Sequence, residues 1–200
     1  GALMNFDKPS PFDGVKAVSP SGVIKVLFAV SLEAAMFVMF YAVYTETIGL
    51  MNETYLSELP VLGGMFGMLD PDANASHIIS ILLATFSVAT PLFIWAEVHR
   101  QNILDDPQEW FSHPQNQILA SIAGLVLIMV IGLEVVNLYT LVARESSQGG
   151  FVVQQESGVM AFLAQNKGLA IGVSAVIAVI NIILALFTTR AFQSLKSEEK

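Results

Sequence analysis

The sequence predicts an all-α integral membrane protein with four transmembrane helices in a bundle. Of its 200 residues, 54% are hydrophobic and only 13% are charged, whereas ordinary soluble domains are about 45–50% apolar and about 25% charged. The charges are grouped between long uncharged runs, which is the pattern of a membrane protein. Four mainly apolar runs reach the length of about 20 residues that a helix needs to cross a bilayer, although charged residues interrupt the first and the third.

The four runs are apolar nearly all round, which argues against the amphipathic helices of a soluble core. The predicted spans are about 22–48, 77–98, 116–143 and 168–190. They belong to a single membrane domain over residues 1–200, with outer loops at 49–75 and 144–167 and a cytoplasmic loop at 99–115. Pro91 lies inside the second span and is expected to kink it.

The distribution of basic residues predicts that both termini are cytoplasmic. Lys and Arg accumulate on the cytoplasmic side of a membrane, close to the ends of the spans. Seven basic residues fall on the side of the termini: Lys8, Lys16, Lys25, Arg100, Arg190, Lys196 and Lys200. Only Arg144 and Lys167 fall on the other side. The expected location is therefore a bacterial inner membrane or a plasma membrane, with the bilayer itself as a partner.

The sequence lacks the residues that several classes of function require. The chain has no cysteine, which excludes disulfides, thiolate metal sites and cysteine nucleophiles. The formal net charge of −8 argues against nucleic acid as a partner. No phosphate-binding glycine loop, zinc-type histidine spacing or nucleophile elbow is present. We therefore expect neither an enzyme nor a bound cofactor or metal.

The cytoplasmic loop carries a local helix signal. Asp106, Pro107 and Glu109 place an acidic N-cap, a proline at the first position and an acid at the third, which predicts a short helix. Trp110 and Phe111 on that turn are expected at the headgroup level. In the first outer loop, LPVLGGMFGML at 59–69 is apolar but too short to span.

Small and weakly polar residues recur at helical spacing in the second and fourth spans. Such residues let helices approach closely in lipid, either within one chain or between copies. The predicted packing residues are Ser80, Ala84, Ser87, Gly168, Gly172, Ser174 and Ala178.

Polar groups inside the spans are the candidate ion-interacting residues. Glu33 lies near the middle of the first span, Glu134 and Asn137 lie in the outer half of the third, and Asn181 lies in the middle of the fourth. An acid at the helix centre costs about 2.5–3.5 kcal/mol, so it should face protein or a wet cavity. Each acid either binds a cation or proton, or is protonated or hydrogen-bonded to Asn181, Asn137, Tyr41 or a serine and holds the helices together. For Glu134 the sequence favours the structural interpretation.

The predicted outer side is acidic. Its acidic residues include Glu46, Asp70 and Asp72. An outer vestibule lined by these acids would concentrate cations at a pore mouth. Glu46 lies thirteen residues after Glu33, about 220° around the helix at 100° per residue, so the two cannot line one narrow path.

Four spans, cytoplasmic termini and an acid in the first helix resemble, in architecture alone, store-operated calcium channel subunits and small drug–proton antiporters. No motif of either family aligns with this chain residue by residue. The sequence favours an oligomeric channel or translocation subunit for cations or protons, with Glu33 as the ion-interacting group. The alternative is a non-catalytic scaffold subunit of a larger secretion, motor or defence complex, bound to a membrane or cytoplasmic protein partner.

Overall fold

The structure, a computed structural model, describes residues 20–51, 74–148, 162, 163 and 165–195. These residues are helical apart from short connections, and no strand occurs among them. In chain order the helices are α1 Pro20–Met51, α2 Asn74–Arg100, α3 Pro107–Ser112, α4 Pro114–Gln148 and α5 Lys167–Ser194.

Four of these helices are long and apolar enough to cross a membrane, as the sequence predicts. The membrane-length segments are Pro20–Ile48, Ser76–Arg100, Pro114–Val142 and Lys167–Ser194. All four agree with the predicted spans to within a few residues, so the prediction of an all-helical chain with four such helices is confirmed. The predicted outer loops fall largely outside the described residues, and the assignment of one membrane domain stays a prediction.

The four long helices pack against one another, each contacting the other three. Polar side chains are buried between them almost as often as apolar ones, while many large apolar side chains, such as Phe28, Ile128 and Phe93, are exposed. Lipid tails are as apolar as leucine, so burial of apolar surface does not drive such helices together. Close packing of small side chains and internal hydrogen bonds hold such helices together instead.

An aromatic pair forms the centre of the apolar core. Phe40 and Tyr44 of α1 stack with their ring centroids 5.9 Å apart. Ala84 and Val88 of α2 and Leu138 of α4 belong to the same buried cluster. The small Ala84 is 0% exposed, and a side chain of this size leaves room for the two rings beside it.

The residues that line two surface clefts identify one end of the helix assembly. The start of α1 at Lys25 lies beside the end of α5 at Arg190, and the end of α2 at His99 lies beside Gln193. We call this the Lys25 end and the opposite end the Thr47 end.

At the Lys25 end, the predicted short helix α3 connects α2 to α4, and we call this connection the elbow. Asp106 is the N-cap and accepts a hydrogen bond from the Glu109 backbone N–H at 3.2 Å. Trp110 Nε1 donates to Gln101 Oε1 at 2.8 Å, and Asn116 Nδ2 donates to the Trp110 carbonyl at 2.8 Å. The predicted short helix is confirmed, and its side-chain bonds fix it to both neighbouring helices.

Candidate functional site

Polar residues recur every seven positions on the buried faces of three long helices. Seven residues make nearly two helical turns, so residues at this interval stay on one face. The buried polar residues at this spacing are Glu33 and Thr47 on α1, two intervals apart, Ser80 and Ser87 on α2, and Ser174, Asn181 and Thr188 on α5. The packing of the helices therefore brings polar groups together at several depths.

Glu33 of α1 faces Thr188 of α5. Its side chain is 7% exposed, and Thr188 Oγ1 lies 3.1 Å from Glu33 Oε1. The second carboxyl oxygen, Oε2, is buried and has no hydrogen-bond partner among the residues that the structure describes. Nearly all buried polar atoms in proteins are hydrogen-bonded, so an oxygen without a partner indicates strain, an ion, a water or a functional role.

A cleft of about 470 Å³ lies beside Glu33. Its walls come from α1, α2 and α5, and it is open to the molecular surface. The polar side chains in the lining are Glu33, Thr188 and Thr189, and the others are apolar. The Glu33 carboxyl is thus the acidic group that a small ion entering this cleft would meet.

Glu134 of α4 occupies a different setting, at the junction of all four long helices. It is 0% exposed, and Asn181 Nδ2 of α5 donates to its Oε1 at 2.7 Å. Its Oε2, like Glu33 Oε2, is buried without a hydrogen-bond partner among the described residues. The same amide donates its other hydrogen to the Ser87 carbonyl of α2 at 3.0 Å. The Ser87 hydroxyl is hydrogen-bonded to the Tyr44 hydroxyl of α1. One polar group from each long helix therefore contributes to one connected set.

Pro91 explains why the Ser87 carbonyl is available to Asn181. In a helix this carbonyl would accept the backbone N–H four residues later, which is position 91. Proline has no N–H, so the bond is missing and a side chain has to replace it. The helix α2 runs through Pro91, which is buried, and the Asn181 amide supplies the missing donor.

Asn137 lies one turn beyond Glu134 but takes a separate partner. Its Oδ1 accepts a hydrogen bond from Thr47 Oγ1 of α1, and its Nδ2 donates to the Leu133 carbonyl at 2.7 Å. Both polar atoms of the amide are therefore used within the protein. Asn137 thus joins α1 to α4 towards the Thr47 end.

The two carboxyl groups lie at different depths. Their partners on α5, Thr188 and Asn181, are seven residues apart, which corresponds to about 10.5 Å along the helix axis. Glu33 is the one nearer the Lys25 end. Because the two acids have different partners on the same helix, they can be altered independently.

The remaining predicted site residues are distributed over the surface and the core. Glu46 is exposed, as its angle from Glu33 requires, and Asp70 and Asp72 lie outside the described residues. Among the predicted packing residues, Ser80, Ala84, Ser87, Ser174 and Ala178 are buried. Gly168 and Gly172 are exposed, and a Cβ added to either would meet no atom of the described residues within 4 Å. For these two glycines, a contact between copies stays a prediction.

Sequence reasoning missed three partners: Thr188, Thr47 and Tyr44. Threonine is frequent in membrane helices, where its hydroxyl bonds the carbonyl four residues earlier, as Thr188 does with Leu184 at 2.8 Å. The missed signal is the interval of seven residues between Thr188 and Asn181. Over the described part of the chain, no group of three metal-ligating side chains is present.

The fold thus defines a class: a helical protein with four helices long and apolar enough for a multi-pass membrane protein. In comparisons with protein-family models, curated proteins and solved structures, nothing matches this chain. Any function therefore has to be inferred from the geometry of the site itself.

The bond between Tyr44 and Ser87 should contribute measurably to stability. We expect the variants Tyr44→Phe and Ser87→Ala to couple in a double-mutant cycle by about 0.6–1.7 kcal/mol, the range for hydrogen bonds between membrane helices. Equilibrium unfolding in mixed micelles measures this coupling. Tyr139→Phe is the control, because no hydrogen bond of the Tyr139 hydroxyl occurs among the described residues. A coupling of zero would show that the Tyr44–Ser87 bond does not hold α1 to α2.

Proposed function

We propose that this protein is a translocation subunit that moves protons or small cations across a membrane, with Glu33 as the ion-interacting group. The observation that carries the proposal is the open cleft that the Glu33 carboxyl lines at mid-span, because a buried carboxyl oxygen without a partner among the described residues is common to Glu33 and Glu134. Ionisable residues inside a membrane commonly mark ion or proton pathways. The distribution of Lys and Arg further supports cytoplasmic termini, and hence a cytoplasmic Lys25 end.

The Thr188 hydroxyl suits a carboxyl group that gains and loses a proton. A hydroxyl donates one hydrogen and accepts through its lone pairs. When Glu33 is ionised, the Thr188 proton is directed to Glu33 Oε1. When Glu33 is protonated, the Thr188 proton returns to the Leu184 carbonyl at 2.8 Å, and Thr188 Oγ1 becomes an acceptor. Thr188 thus offers a partner to both forms without a change in the helix.

In the same proposal, Glu134 has a structural role. Its hydrogen-bond donor, the Asn181 amide, is already committed to two acceptors on two helices. Movement of an ion through this position would require the junction of four helices to open. We therefore assign the transported ion to Glu33, and assign cohesion of the helices to Glu134, Asn181 and Asn137.

Translocation also requires more than one copy or an additional subunit. Four helices from one chain fill their own interior with side chains, which leaves no continuous aqueous pore. A symmetric oligomer would supply the missing walls. Glu33 is directed towards α5 rather than outwards, so in an oligomer it would be reached through the cleft between α1, α2 and α5.

The second candidate function is a non-catalytic scaffold subunit of a larger membrane complex. The elbow at the Lys25 end favours it, because Phe111 is 46% exposed on a helix whose position is fixed by hydrogen bonds. In this case both buried acids are structural and the elbow is the docking surface. The two candidates differ in whether water and ions reach Glu33.

Water access to position 33 is a direct test of the proposal. The chain has no cysteine, so Glu33→Cys introduces a single thiol that a membrane-impermeant thiol reagent can label in liposomes. We expect Glu33→Cys to be labelled, because thiols react as thiolates and thiolates require water. The neighbouring Leu32→Cys is the control, since Leu32 is 39% exposed on the apolar surface and should face lipid.

Labelling at Glu33→Cys but not at Leu32→Cys would support a wet cleft. If a folded Glu33→Cys variant resists the reagent from both sides of the membrane, position 33 is dry. That result would refute translocation through Glu33 and leave the scaffold function.

A further inference from the structure

A second cleft, separate from Glu33, lies between α1 and α5 at the Lys25 end. Its volume is about 510 Å³. α1 contributes Lys25, Phe28 and Leu32, and α5 contributes Leu184, Phe187 and Arg190. We call it the Lys25–Arg190 groove. The two helices pack against each other here, and their small residues Ala29 and Ala191 form part of its lining.

The groove contains two cations, Lys25 and Arg190, that have no acidic partner among the described residues. No ion pair of Lys25 or Arg190 occurs within the described part of the chain. The nearest acid along α1 is Glu33, eight residues from Lys25 and about 12 Å away along the helix axis, and α5 has no acid between Lys167 and Ser194. Two basic groups at one site therefore attract an anion.

Arg100 differs from these two cations although it lies at the same end. Its Nε and Nη2 donate to both carboxylate oxygens of Glu97, at 2.9 and 2.7 Å. This bidentate pairing leaves little capacity for another anion. The cavity beside Arg100 and His99 consequently lacks the free positive charge of the Lys25–Arg190 groove.

The charged and apolar parts of the groove are arranged in sequence along the helices. The cations are near its Lys25 end, and the apolar wall continues towards the middle of the span. At 1.5 Å per residue, the wall extends about 10.5 Å from Lys25 to Leu32 and about 9 Å from Arg190 to Leu184. Phe28 and Phe187 are 67% and 59% exposed and border the opening. A phospholipid has the same arrangement, with an anionic headgroup above an acyl chain.

We propose that the Lys25–Arg190 groove binds an anionic phospholipid from the membrane leaflet at the Lys25 end. The lipid phosphate lies between Lys25 and Arg190, and one acyl chain lies along Phe28, Leu32 and Phe187. Basic sites between transmembrane helices are well suited to such headgroups. An apolar wall of this length has no use in binding free phosphate, so the lipid is the source of the anion. The site does not depend on ion transport through Glu33.

Native mass spectrometry of the protein from micelles containing equal phosphatidylglycerol and phosphatidylcholine tests the proposal. We expect wild type to retain phosphatidylglycerol preferentially. Each basic group near an anionic lipid contributes on the order of a fivefold change in affinity, so Lys25→Gln with Arg190→Gln should lose most of the preference. The exchange Lys25→Arg with Arg190→Lys keeps both charges and should retain it.

A charge-matched control is Arg100→Gln with Lys167→Gln, which removes two positive charges outside the groove. This variant should keep the wild-type preference. Equal retention of the two lipids by wild type would overturn the proposal, as would an unchanged preference in Lys25→Gln with Arg190→Gln. Competition by inorganic phosphate at the concentration of the lipid would show a simple anion site and would also overturn it.

Discussion

Asn181→Leu is expected to be the most destabilising single substitution at the junction of the four long helices. Leucine keeps the approximate size of the side chain but removes both donors, so Glu134 Oε1 and the Ser87 carbonyl lose their partners. Double-mutant cycles on hydrogen bonds between membrane helices average about 0.6 kcal/mol and reach about 1.7 kcal/mol, so the two bonds together predict a loss of roughly 1–3 kcal/mol. Equilibrium unfolding in mixed detergent micelles measures the free energy of unfolding.

Ser174→Ala is the matched control for this prediction. Ser174 is buried on the same face of α5, but its hydroxyl bonds only the Ala170 carbonyl of its own helix. The control should therefore change stability much less than Asn181→Leu. A second variant, Glu134→Gln, keeps an acceptor oxygen for Asn181 and should remain close to wild type. If Asn181→Leu is as stable as wild type, the hydrogen-bonded junction does not hold the helices together.

Glu33→Gln is expected to abolish ion flux while leaving the fold intact. Glutamine keeps the shape of the side chain and an acceptor for the Thr188 hydroxyl, which now lies 3.1 Å from Glu33 Oε1. It cannot exchange a proton or bind a cation with a negative charge. Flux in liposomes should fall to the level of liposomes without protein, while the unfolding free energy and oligomeric state remain those of wild type.

The four spans were predictable because the thickness of the bilayer fixes the length of a crossing helix. A mainly apolar run of that length is visible in one sequence without knowledge of any contact. The elbow at Asp106 was predictable for a similar reason, since the N-cap, the proline and the first-turn acid act within four neighbouring residues. Local signals of this kind need no tertiary information.

The residues of the candidate site were predictable in part, but most of their pairings were not. Glu33, Glu134, Asn137 and Asn181 are conspicuous because each interrupts an apolar run. Their partners depend on the rotation and depth of helices that are distant in the chain. Asn181 was one of several partners open to Glu134, whereas Thr188 was not considered for Glu33.

Pro91 shows how tertiary contacts change the meaning of a local signal. In the structure α2 continues through Pro91 as one helix, and the kink that the sequence predicts there stays a prediction. The carbonyl that Pro91 frees accepts from Asn181, so the proline creates an attachment point for another helix. The Gly168–Gly172 motif is a related case, because no described residue packs against it and the predicted contact with a second copy stays a prediction.

In the function that we propose, the two buried acids have different roles: Glu33 carries the ion, and Glu134 holds the helices together. Proton and cation flux into liposomes under an imposed gradient separates these roles, with wild type, Glu33→Gln and Glu134→Gln reconstituted at equal density. We expect flux in wild type and Glu134→Gln and none in Glu33→Gln, with all three folded and equally assembled. Flux through a folded Glu33→Gln protein at the wild-type rate would contradict the proposal.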